Sequence, residues 1–322
     1  VNIKVEYNKE TVLNPIVNRI TWSGNQDQPF RKCEINVHNT VDGKSTFIDF
    51  EPGKSLRLLK DDQELFRGVI FTDQMDLQGS MSLTAYDENV YLTKNIDTKK
   101  FVNKKASDIV KQCCKEFNIP TGTIVDTTYN IPKLLLRDRT LWDMMKTALA
   151  ETEDHTGKKY ILSSKQGKLH LLDVAEEEVE WKLEQGVNIL SASHSKSIEE
   201  MKNKIKILSN DNKKKPMEVV KEDASLAKKY GTMQHLQYVG MDKKKEGMKQ
   251  LANQLLKQRG KVTHETHLEA LGNEAVIAGT VVNIQAGMTK MEGLYDVITD
   301  QHTFENGLHN MSLTIREHAS EK

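Results

Sequence analysis

The chain has 322 residues, 37% of them hydrophobic and 29% charged, enough apolar material for roughly two to four packed modules under a polar surface. Lysine plus arginine equal aspartate plus glutamate at 46 each, so no net field steers it to nucleic acid or anionic lipid. No run approaches the ~20 apolar residues of a membrane span, and the first residues lack the apolar core of a signal peptide, so the expectation is a protein folded in a cytosol, with neither a membrane nor a specific nucleic acid as partner.

Residues 1–95 read as β throughout. Partial alternation marks Asn2 to Tyr7 and Val17 to Ser23, and clearer alternation marks Cys33 to Val37. Ser55 to Leu59, the turn Asp61-Asp62 and Glu64 to Phe71 read as a hairpin, with Gly43, Gly53 and Gly79 at turns. Five to seven short strands at this spacing predict a small barrel.

Near Leu92 the period changes. Ala106, Ile109, Val110, Cys113 and Phe117 fall on one face of a helix that ends before Asn118-Ile-Pro120. A second helix follows Thr140, a predicted N-cap with Asp143 in the first turn, and buries Leu141, Met144, Met145, Ala148 and Leu149. Lys159 to Ser163, a turn at Ser164 to Gly167, and Lys168 to Leu172 read as a hairpin, making residues 96–175 an α+β module.

After the acidic run Glu176 to Glu178, strands are predicted at Val187 to Leu190 and Lys202 to Leu208, interrupted by the solvated loop Asn210 to Pro216. A short helix, Ala224 to Tyr230, and a longer one, about Lys244 to Gln258 with Met248, Leu251, Ala252, Leu255 and Leu256 as its apolar stripe, come before strands resume at Val262 and run to Arg316. The fold expected is α+β and mainly β. It comprises a first β-barrel at 1–95, the module at 96–175, a second barrel from 176–210 and 262–322, and a helical insertion at 211–261.

Two stretches are copies of one another. Val69-Ile-Phe-Thr-Asp-Gln-Met-Asp-Leu-Gln-Gly-Ser-Met-Ser-Leu-Thr84 and Val297-Ile-Thr-Asp-Gln-His-Thr-Phe-Glu-Asn-Gly-Leu-His-Asn-Met-Ser-Leu-Thr314 share an apolar run, Thr-Asp-Gln, a Gly-bearing turn and Met-Ser-Leu-Thr. The second connection is longer by three residues, as a hairpin loop tolerates. Two related β-domains in one chain point to a ring or tube and away from a catalytic pocket.

The residues that could carry chemistry read as structural. Cys33, Cys113 and Cys114 lack the spacing of a zinc site or disulfide scaffold, and Cys113 falls on the buried helix face as a small hydrophobe. His264 and His267 are three apart on a predicted strand, where they point to opposite faces and make no metal site. Asp73 and Asp300, matched by the repeat, suit turn hydrogen bonding better than acid catalysis. The lysine runs at 213–215 and 243–245 read as solvated, and no Gly-rich phosphate loop occurs. No nucleophile, base and orienter set is present, so no catalytic, cofactor or metal residue is assigned and the chain reads as a non-enzyme.

In order along the chain, several segments carry a resemblance: Leu65-Phe-Arg-Gly-Val-Ile with Ser82-Leu-Thr-Ala-Tyr-Asp-Glu88; Ala106-Ser-Asp-Ile-Val, Thr140-Leu-Trp-Asp-Met-Met, and Gly157-Lys-Lys-Tyr-Ile-Leu with Gly167-Lys-Leu-His-Leu; then Ser225-Leu-Ala-Lys-Lys-Tyr-Gly231 and Leu251-Ala-Asn-Gln-Leu-Leu leading into Ala278-Gly-Thr-Val-Val. Over roughly residues 15–316 the chain resembles the hub proteins of contractile phage tails and phage-like particles, the PBSX-type XkdQ/YqbQ group, more distantly the late control D-like hubs. The resemblance implies a structural baseplate protein of a virion or phage-like particle, assembled in the bacterial host cytoplasm, without cofactor. It implies a homotrimer whose duplicated barrels present six similar units to a sixfold tail tube or tube initiator and a threefold face to a central spike. Other baseplate proteins are further expected partners, with the 211–261 insertion as a candidate contact. A peptidoglycan-acting or cell-wall-binding tail module is the alternative, and a sugar-binding β-protein a third reading weakened by the scatter of Trp22, Trp142 and Trp181.

Overall fold

The computed structural model describes residues 2–40, 42–173, 181–209, 217–239, 245–287 and 291–318. The acidic run at 176–178, the loop at 210–216 and most of the lysine run at 243–245 lie outside the described residues. The chain forms two units, Val1–Ser193 with His267–Lys322, and His194–Thr266.

The first unit opens with β1 (Ile3–Tyr7), β2 (Thr11–Val12), β3 (Val17–Asn25), β4 (Lys32–His38), β5 (Ser55–Lys60), β6 (Gln63–Met75) and β7 (Ser80–Tyr86). Period-two patterning sets which face is buried: Cys33, Ile35 and Val37 of β4 and Met81, Leu83 and Ala85 of β7 turn into one core with Leu56, Leu58 and Phe66. The β reading of 1–95 ends early, because Asp87 caps a short 3-10 turn that runs into α1 (Tyr91–Lys94).

The module follows as β8 (Ile96–Lys105), α2 (Ala106–Glu116), β9 (Thr121–Ile124), β10 (Asn130–Thr140), α3 (Leu141–Thr156), β11 (Tyr160–Lys165) and β12 (Lys168–Asp173). Both predicted helices are present, and Ile109, Val110, Cys113, Met144, Met145 and Ala148 meet in a second core. Thr140 is the N-cap of α3, accepting from Asp143 N at 3.0 Å, and Gly157 ends it at φ 73°. The antiparallel pair β8–β10 is not evident from sequence, since its lysines mask the alternation around Phe101, Ile131 and Leu136, which pack inward.

Next come β13 (Trp181–Glu184) and β14 (Ile189–Ser197), which leads into the second unit. There β15 (Lys204–Ser209), β16 (Glu218–Glu222), α4 (Ala224–Tyr230), β17 (Gln234–Val239) and α5 (Lys245–Arg259) form a three-stranded sheet β16-β15-β17 with α5 packed on Ile205, Ile207 and Val219. Two expectations are corrected. The strand at 202–208 pairs with β16 and β17 instead of joining the second β-region, and the insertion is an α/β unit, not a helical one. Alternation locates a strand but does not choose its neighbour.

The chain returns through β18 (Thr263–Leu271) and closes with β19 (Val281–Ala286), β20 (Met291–Glu305) and β21 (Leu308–Glu317). Among the described residues, thirteen strands form one sheet in the order β14-β18-β21-β20-β3-β4-β7-β6-β5-β1-β2, with β19 also on β20 and β13 on β19. The two β-regions are therefore not separated sheets, because β20 pairs with β3.

Within that sheet one pattern occurs twice. The order β3-β4-β7-β6-β5-β1 is matched, in the same chain order, by β14-β18-β21-β20-β19-β13. Thr72, Asp73 and Gln74 face Thr84, Leu83 and Ser82, and Thr299, Asp300 and Gln301 face Thr314, Leu313 and Ser312. Each hairpin bulges one residue before that threonine, at Phe71 and Ile298. The equivalent of Val297 is thus Ile70, so the Val-Ile identity seen in the sequence is out of register by one. The match extends upstream. Gly53 N donates to Ile70 O and Gly279 N to Val297 O, both at 2.8 Å, with the glycines at φ 90° and 92°. The copies differ in one pairing: β1 runs antiparallel to β5, and β13 parallel to β19.

Replacing Thr140 by Ala removes the α3 cap and should cost about 1 kcal/mol of stability, read as a lower urea midpoint at unchanged slope.

Candidate functional site: the joint between the repeated halves

The polar side chains buried where the two β-halves pair form the candidate site. The joint is the antiparallel pairing of Thr299 to Glu305 in β20 with Asn25 to Arg19 in β3. It is dry and apolar towards its far end, where Phe304 and Ile277 of the second half enter the core of the first.

A buried ion pair pins the near end. Arg31, last residue of the β3–β4 connection, holds Asp300 with both terminal nitrogens, Nη1 donating to Oδ1 at 2.9 Å and Nη2 to Oδ2. The side chains are 6% and 0% exposed. The guanidinium also lies 4.1 Å from the Trp22 ring centroid, and Asp300 Oδ1 accepts from Ala278 N at 2.7 Å. Gly24 is obligatory there, since a Cβ would sit 2.3 Å from Arg31 Nη1. Burial alone would raise the Asp300 carboxyl, but the Arg31 charge, with hydrogen bonds from His302 and Arg31, holds it well below the ordinary carboxylate range.

Arg31 is itself positioned by the cap of the turn that follows β7. Its backbone N–H donates to Asp87 Oδ2 at 2.9 Å, and that carboxylate also accepts from Ser164 Oγ at 2.5 Å and Asn89 N at 3.0 Å. Burial pushes the Asp87 carboxyl up to about 6 against these bonds. Beyond Asp300, His302 Nε2 lies 3.0 Å from Val276 O, which can only accept, so Nε2 carries the proton. Nδ1 of His302 lies 3.0 Å from His309 Nε2, and the two rings share a hydrogen bond. Burial, with His302 and then Lys60 beside it, draws His309 down to about 4.

The candidates named from the sequence separate on these grounds, and none assembles into a reactive set. Asp300 is the buried ion-pair partner; its repeat-mate Asp73 is half-exposed on β6, its side chain without an ion pair or hydrogen bond among the described residues. His264 and His267 both lie on β18; His267 Nδ1 is 3.3 Å from Thr314 Oγ1, whereas His264 packs near the His194 ring. No group of three or more metal-ligating side chains occurs among the described residues. All three cysteines are buried, which pushes Cys113 up to about 11, Cys114 up to about 12 and Cys33 upward as well. Beside the joint, a cleft of about 280 Å³ is lined by Trp142, Tyr160, Lys146, Glu153 and Asp296 among others, with no nucleophile beside a base. No helix among the described residues is long and apolar enough to cross a membrane. Arg31, Asp87, His302 and His309 carry no signal in the sequence, because a lone ionisable residue near a turn looks the same exposed or buried.

A family model described as YQBQ-like matches residues 20–316, and the chain belongs to that family. The phage-like element PBSX protein XkdQ of Bacillus subtilis (strain 168) is 30% identical over 307 residues, 95% of this chain and 94% of that protein. The crystal structure of the 43 kDa tail protein of prophage MuSo2 from Shewanella oneidensis shares the fold at TM-score 0.75 and 12% identity, over 98% of each chain. The E. coli c3393 protein, described as a type VI secretion component with structural similarity to the T4 tail proteins gp27 and gp5, does so at TM-score 0.56 and 8% identity, over 99% of this chain and 78% of that one. The fold is that of phage tail proteins.

Two outcomes follow from the joint. Arg31→Met leaves the Asp300 charge buried and unpaired, and should cost about 3–5 kcal/mol by chemical denaturation. The pH profile carries opposite signs. His309 titrates at about 4 folded against 6.5 unfolded, so its contribution is complete above pH 6.5 and lost as pH falls to 4. Asp87 takes up its proton at about 6 folded against 3.8 unfolded, so its contribution is complete below 3.8 and lost as pH rises through 6. In His309→Gln only the Asp87 slope remains of these two, and melting temperature should fall less between pH 6.5 and 4 than in the unmodified chain.

Proposed function

We propose that the chain is the baseplate hub of a contractile phage tail or phage-like particle: a non-enzymatic homotrimer whose ring joins the sixfold tail tube to the threefold central spike. The observation that carries this reading is the six-strand order present twice in one sheet. Each half is then one barrel-like unit, and three chains supply six such units to the tube while keeping a true threefold axis for the spike. Membership of the YQBQ-like family and the likeness to prophage tail proteins support the particle as its place of work. The stretch between β14 and β18 of the second half, which carries β15 to β17, α4 and α5, is then a contact with other baseplate proteins.

Light scattering on the purified protein should give about 110 kDa, three times the 36.7 kDa chain. A mass that stays at one chain at every concentration would overturn a ring closed by the protein alone.

A further inference from the structure

Because the two halves repeat one strand order, the joint inside the chain has a counterpart that the chain cannot satisfy by itself. In the second half, β20 is covered by β19 up to Asp296 and by β3 from Thr299 onward. In the first half, β6 is covered by β5 up to Val69, but Thr72 to Met75 have no strand on that edge among the described residues. The mate of β3 is β14, which pairs with β18, is bridged at Ile189 to Gln185, and forms the opposite end of the sheet among the described residues. One copy therefore carries an uncovered β6 edge and an uncovered β14 edge, related as β20 is to β3. Bare edges of this kind are pairing sites.

We propose that β14 of one copy pairs antiparallel with the free edge of β6, residues 72–75, in the next copy, reproducing the β3–β20 joint between molecules. This rests on the ring reading above and names its seam. The register follows from equivalences already fixed. Thr84 faces Glu34, and its mate Thr314 bonds His267 at 3.3 Å, so His267 stands for Glu34 and Thr266 for Cys33. Cys33 faces Trp22, and Thr266 bonds His194 at 3.0 Å, so His194 stands for Trp22 and Lys196 for Gly24. Inside the chain Gly24 lies opposite Asp300. Between copies, Lys196 therefore lies opposite Asp73.

That register was set by strand pairing and two side-chain hydrogen bonds without reference to charge, yet it brings opposite charges together. Lys196 is exposed, and neither it nor Asp73 has an ion-pair partner among the described residues. Within the chain, Arg31 supplies the cation for Asp300 from the β3–β4 connection; between copies the cation comes from the strand itself. One seam of each kind per chain closes the ring with both of these free edges used.

The test is a cysteine pair with a charge exchange. Ser23 faces Gln301 within the chain, so Gln74→Cys with Ser195→Cys should form an intermolecular disulfide, yielding linked trimers under mild oxidation. Either cysteine alone should not. Asp73→Lys should weaken trimer association about tenfold or more, and adding Lys196→Asp should restore it. A trimer that forms no disulfide at this pair and ignores Asp73→Lys would overturn the seam and leave the ring standing. Protein that stays monomeric and unlinked at the highest workable concentration would overturn both.

Discussion

Everything distinctive about this molecule depends on the pairing of β20 with β3, and that pairing depends on Arg31. A strand joint alone fixes direction but tolerates slippage. A bidentate ion pair at one end, between residues 269 apart in sequence, does not. Because Asp87, just after β7, holds the backbone of the same arginine, three segments of chain meet at one residue. The arrangement is costly to bury and costlier to break, so it acts as a register lock more than as a source of stability.

The duplication shows how one hairpin can serve two environments. Asp73 and Asp300 occupy the same place opposite Leu83 and Leu313, and the pairs two residues further on, Met75 with Met81 and His302 with Met311, differ by one substitution. In the second half the position is sealed by the first half, and an acid, two histidines and a backbone carbonyl form a closed hydrogen-bonded chain. In the first half no strand among the described residues arrives, and the equivalent acid stays near the surface.

Much of this was legible in the sequence. The repeated Thr-Asp-Gln and Met-Ser-Leu-Thr segments led to the duplication, and the periodicity around Ala106 and Leu141 gave both module helices nearly residue for residue, because those patterns are local. What stayed hidden was non-local. The strand at Lys204 reads the same whichever sheet receives it, and only the pairing with β16 and β17 assigns it to the inserted unit. The joint was hidden for the same reason: alternation in β3 and in β20 says that each has a buried face, not that they share an edge. Arg31 could be told from forty-five other cations only by its burial.

The sequence distance across the joint also governs when it can form. During synthesis β3 emerges long before β20, so the edge of β3 and the face of Trp22 stay bare until β20 has followed. Closing so long a loop makes this a late step in folding. The β20–β21 hairpin is therefore also the cover for an edge made much earlier. A chain released before β20 keeps that edge open to any strand nearby, while one that includes β20 has withdrawn it.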